Sequence, residues 1–112
     1  MSNILALTYP DGLDVEVFKS SVLGRLQRLN LSESEREHVT LGIINRQEIF
    51  LTKNVYNEKN LSSFRWTVDT QKDFEFISKI FDNFKLNEVG FSQKDLEVFI
   101  QSNPKINQIK IR

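Results

Sequence analysis

FRWTVDTQKDFEFI, Phe64–Ile77, is the stretch whose reading decides the fold. It opens as a short run rich in aromatic and β-branched residues, the composition of a strand. The run ends at a carboxylate, Asp69, followed at once by Thr70. From there the apolar residues recur at helical spacing. A carboxylate at such a junction can be a cap, a turn residue or a ligand for a metal ion. In the structural reading Thr70 is the N-cap, and Asp73 stands three residues on, where a capping box has Glu. In the functional reading Asp69 is a ligand at the end of a strand. The two readings are compatible.

Working outward, the helix is expected to run from Thr70 to Phe84, with Phe74, Ile77, Ile80, Phe81 and Phe84 as one apolar stripe and Phe76 well round the cylinder. SSFRWTV, residues 62–68, reads as a strand whose alternation puts Trp66 in the core and turns Arg65 toward a neighbouring carboxylate. EIFLTKNVY, residues 48–56, reads as another strand, and NEKN, residues 57–60, as a polar turn. LSESEREHVTLGIINRQ, residues 31–47, is expected to be a helix with a Ser32–Glu35 capping box and a thin stripe of Val39, Ile43 and Ile44. SSVLGRLQRL, residues 20–29, is expected to be a helix capped by Ser20 or Ser21. YPDG, residues 9–12, is a turn signal, and LDVEVF, residues 13–18, then alternates as a strand, with Leu13, Val15 and Val17 on one face. Downstream, NEVGFS, residues 87–92, breaks the pattern. Ser92 caps a last helix carrying Leu96, Phe99 and Ile100, and Asn103 before Pro104 ends it. The basic tail KINQIKIR, residues 105–112, has the look of an edge strand. Strands alternating with helices argue α/β: a small mixed sheet of three or four strands with about four helices, in a single domain, 1–112.

Composition narrows the function. Fifteen Lys and Arg balance fifteen Asp and Glu, so the chain offers no electrostatic footprint for nucleic acid. No apolar run approaches the ~18 residues of a membrane span, and the first residues lack the basic start of a signal peptide. With no Cys and one His, thiolate sites, disulfides and a His-cluster zinc site are excluded. The absence of Cys fits a cytoplasmic protein.

Three segments, TYPDGLDVEVF (Thr8–Phe18), SEREHVT (Ser34–Thr40) and FRWTVDTQKDFEFISKIF (Phe64–Phe81), together resemble the cytidylyltransferase family. The closest branch is the spore coat polysaccharide biosynthesis protein F type, related to the acylneuraminate and 3-deoxy-manno-octulosonate cytidylyltransferases. The resemblance runs through nearly the whole chain and corresponds to the family's carboxy-terminal half. GFSQKDLEVFIQSNPKINQI, residues 90–109, is similar to the family's ending. It implies half of a Rossmann-like nucleotidyltransferase fold. It also implies that the Gly-rich phosphate loop and the first metal-binding Asp lie outside this sequence; Gly12, Gly24, Gly42 and Gly90 are scattered.

By this resemblance Asp69 is a carboxylate for Mg²⁺, in the context of a complete active site. Asp14 and Glu16 border the pocket of the acceptor sugar, and Glu37 and His38 lie near it. Read without the family, Asp14 and Glu16 are a solvated strand face, and Glu37 and His38 a charged helix face. No catalytic residue is assigned. The resemblance implies transfer from CTP to an acidic or related sugar for surface polysaccharide, in a truncated chain inactive alone. The alternative is a non-catalytic, homo-oligomeric interaction module. The expected partners are further copies of the chain, as a dimer, or a separate amino-terminal half; no nucleic acid and no membrane.

Overall fold

The computed structural model describes residues 1–84 and 90–105. Five helices are present among these residues: α1 (Ser20–Gln27), α2 (Glu33–Glu37), α3 (Leu41–Ile44), α4 (Gln71–Phe84) and α5 (Gln93–Ser102). Two compact units form, one from residues 1–9 and 14–60, the other from residues 10–13 and 61–112.

Among the described residues the expected mixed sheet of three or four strands does not form. Backbone pairing in these residues occurs only at isolated bridge positions, among them Ser2 with Glu16, Ser2 with Asn54, and Asp11 with Arg65. The reason is visible in the partners. Ser2 donates to the Lys53 carbonyl at 2.9 Å and accepts from the Val55 N–H at 2.8 Å. The chain then turns over residues 4–7, where the Asn54 side-chain oxygen accepts the N–H groups of Leu5 and Ala6, each at 3.1 Å. Those donors are therefore withheld from a ladder. The stretch 13–18 is divided, Leu13 packing in the second unit while Val15 and Val17, each 58% exposed, belong to the first. In the stretch 48–56, Ile49 and Phe50 donate back to the Arg46 carbonyl and continue the turn after α3. In 62–68, only Phe64 and Arg65 pair.

In the first unit the Ser32–Glu35 capping box forms as expected. The expected long helix 31–47 instead breaks after Glu37, because His38 adopts φ −102°, ψ 85° and Thr40 Oγ donates to the Glu16 carboxylate at 2.7 Å. Val39 is left exposed. The α1 cap also differs: Lys19, not Ser20 or Ser21, is the N-cap, and no side chain closes it. Leu26 and Phe50 are buried, and Arg25 lies over the Phe50 ring at 4.6 Å.

The second unit has the larger apolar core: Trp66, Phe76, Ile80, Leu96 and Ile100, flanked by Leu13, Phe64, Ile77, Phe84, Phe91 and Phe99. Phe84 stacks on Phe91 at 4.6 Å and meets Phe99 edge-on at 5.6 Å. Pro10–Leu13 closes onto this core, with the Trp66 N–H donating to the Asp11 carbonyl at 2.7 Å. Gly12 has φ +103°, and a Cβ there would lie 2.8 Å from the Trp66 backbone, so only Gly fits. The inward face of α4 is Asp73, Phe76 and Ile80, whereas Phe74 and Phe81 of the expected stripe are 58% and 49% exposed. Ser92 and Asp95 cap α5, and Asn103 ends it. The breaker at 87–89 and the basic tail beyond Lys105 lie outside the described residues.

Buried Glu35 sets an acid limit on the first unit. Hydrogen bonds from Arg46, from the Asn45 side chain and from the Ser32 N–H hold its carboxyl down from 4.5 to about 2, against desolvation. Its folded value lies below its unfolded one, so its contribution is complete above pH 4.5 and is lost as pH falls toward about 2. Chemical denaturation across that range should show falling stability in the native chain. Glu35→Gln should be weaker at pH 7 and flatter with acid; an unchanged acid profile would contradict this role.

Candidate functional site

The junction between Trp66 and α4 is built around one buried carboxylate. Asp73 is 1% exposed. Its Oδ2 accepts the N–H of Asp69 at 2.9 Å and of Thr70 at 2.8 Å. Its Oδ1 accepts from Arg65 Nη1 at 3.1 Å. In return the Asp73 N–H donates to Thr70 Oγ at 3.2 Å. This is the reciprocal capping box expected of Thr70 and Asp73, with a guanidinium added. The Asp69 N–H, then Thr70 and Arg65, hold the Asp73 carboxyl below its ordinary range, opposing the desolvation that raises it.

Asp69 is carried on the outside of this box. Its carboxylate is exposed and pairs with Arg65 Nη2 at 2.7 Å. The expected pairing of Arg65 with a carboxylate is thus present twice. The backbone ahead of Asp69 is not a strand, so the turn and the capping box position this residue instead. The burial of Asp73 goes beyond the expected cap, and its signal in the sequence is a helix face shared with Phe76 and Ile80 at spacings of three and seven.

The other candidates lie in the first unit. Glu16 is half-buried and engaged by Thr40. Glu37 ends α2, and His38 is its C-cap, donating its N–H to the Ser34 carbonyl at 2.9 Å; both are exposed. The Glu16–Thr40 bond brings Glu16 to the helix break that follows Glu37 and His38. Asp14 is exposed.

A Mg²⁺ ion needs near-octahedral oxygen ligands. Among the described residues no group of three His, Cys, Asp or Glu side chains converges to hold a metal ion. Asp69 offers one carboxylate, already paired with a guanidinium. The described residues of this chain therefore do not fit a Mg²⁺ site by themselves. No helix among them is long and apolar enough to cross a membrane.

No family model and no curated protein matches the chain. The chain is similar to the structure of a cytidylyltransferase from Leptospira borgpetersenii serovar Hardjo-bovis (strain JB197), with a TM-score of 0.86 and 30% sequence identity over 99% of this chain. It spans 46% of the length of that protein's chain. This likeness supports the cytidylyltransferase family. The backbone path is shared although the described residues form only isolated bridges.

Removing the cap should show how far folding depends on it. Thr70→Ala is expected to destabilise the chain by about 1 kcal/mol in urea denaturation. Asp69→Asn should cost less, because an exposed ion pair contributes little. Equal losses in the two variants would place Asp69, not the box, at the centre of the turn.

Proposed function

We propose that these 112 residues are a segment of a cytidylyltransferase of the spore coat polysaccharide type, equivalent to its carboxy-terminal half, acting in the cytoplasm. The observation that carries the proposal is the likeness to the Leptospira enzyme at 30% identity and a TM-score of 0.86. The reaction proposed for the complete enzyme joins CTP to an acidic or related sugar. A sugar oxygen forms a bond to the α-phosphorus of CTP, the bond to the β-phosphate breaks, and pyrophosphate leaves with the electron pair. The product is a nucleotide-activated sugar for surface polysaccharide.

Within this proposal the acceptor sugar is met by Asp14, Glu16, Glu37 and His38. Glu16 accepts from Thr40, two positions after His38, which supports reading these residues together. Asp69 would offer one carboxylate, and Mg²⁺ enters only with further oxygens from outside the described residues. The partner is a separate amino-terminal half or a second copy of the chain, and the exposed rings of Phe74 and Phe81 on α4 offer apolar surface to either. No Gly-rich phosphate loop occurs in the sequence. The segment alone is therefore proposed to be inactive.

Purified chain incubated with CTP, Mg²⁺ and a panel of acidic sugars should release no pyrophosphate above background. Release that requires both CTP and one sugar would overturn the claim of inactivity and identify the acceptor.

A further inference from the structure

The charged side chains at the start of α4 form a closed unit around Arg65. Its Nη1 lies 3.1 Å from Asp73 Oδ1 and its Nη2 lies 2.7 Å from Asp69 Oδ2. A guanidinium is planar and rigid, so both carboxylates are held by one plane of donors. The two contacts differ in what their loss would cost. Asp73 is 1% exposed, and a buried carboxylate stripped of its cation is left uncompensated. The Asp69 side chain is 67% exposed and has water as an alternative. Arg65 is thus anchored inward and reaches outward. Asp69 is fixed at a second point too, where its N–H donates to Asp73 Oδ2 at 2.9 Å.

A divalent cation arriving at Asp69 meets a positive charge that cannot easily withdraw. Turning the guanidinium away would pull its other nitrogen from Asp73. Nor, among the described residues, does a group of three His, Cys, Asp or Glu side chains converge to compensate the repulsion. We propose that Arg65 is the resident cation of Asp69, a positioning residue that holds this carboxylate against the buried Asp73 and keeps divalent metal ions off it in this chain. Asp69 is then the ion-pair partner of Arg65 here, and occupancy by a metal requires ligands from elsewhere that displace Arg65 Nη2. This inference stands on the geometry of the isolated chain and is independent of the reaction proposed above.

The test uses Mn²⁺ alone as a paramagnetic probe on the isotope-labelled full chain, without nucleotide. In the native chain the amide signals of Asp69 and Thr70 should broaden no more than that of exposed Glu75 on α4. In Arg65→Gln the broadening at Asp69 and Thr70 should rise several-fold, and adding Asp69→Asn should remove the gain. Arg65→Lys keeps a cation for Asp73 but cannot span both carboxylates, so it should show a smaller rise; it serves if Arg65→Gln does not fold. Preferential broadening at Asp69 in the native chain, abolished by Asp69→Asn, would overturn the proposal. So would a folded Arg65 variant with no gain. Both readouts are obtained without CTP, so their failure is distinct from a positive pyrophosphate assay.

Discussion

The second unit depends on a carboxylate placed where a hydrophobic residue would be expected. Asp73 is almost fully buried on the face that also carries Phe76 and Ile80. Burying a charge without partners is costly, so both oxygens must be paired. Two backbone N–H groups and a guanidinium pair them. Those three contacts fix the turn, the Thr70 cap and the side chain of Arg65 together. They also fix the rotation of α4 about its axis. With Asp73 inward, Phe76 and Ile80 must follow at spacings of three and seven, and Phe74 and Phe81 are turned out.

That rotation shows where the sequence could be read and where it could not. The helix over 70–84, its Thr70 cap and the core position of Trp66 follow from local chemistry, because a cap and an alternating pair need only near neighbours. Of the stripe expected from hydrophobicity, Ile77, Ile80 and Phe84 face the core, but Phe74 and Phe81 do not, because the buried polar Asp73 sets the rotation. The capping boxes at Ser32 and Ser92 were legible for the same local reason. The break after Glu37 was not, since it depends on a hydrogen bond between Thr40 and Glu16, twenty-four positions apart.

Strand composition fared differently. Residues 13–18, 48–56 and 62–68 have the side chains of strands, but a strand exists only when a neighbour accepts its ladder. Single pairing residues, Ser2 and Asp11, meet them here, and Asn54 takes up backbone donors that a ladder would use. The backbone path still matches a cytidylyltransferase that is longer than this chain. Of the candidate site, Asp69 and the turning of Arg65 toward a neighbouring carboxylate were visible in the sequence, but which carboxylates it meets was not. The bond that gathers Glu16 toward Thr40 was not.

The central claim is that Asp73 organises the turn that carries Asp69. Amide hydrogen exchange in the isolated chain tests it most directly, because the N–H groups of Asp69 and Thr70 are both donated to Asp73 Oδ2. Protection at these two amides comparable to that of Ile80, within the core of α4, is the result the account predicts. Exchange at the rate of an unstructured loop, with Ile80 still protected, would contradict it.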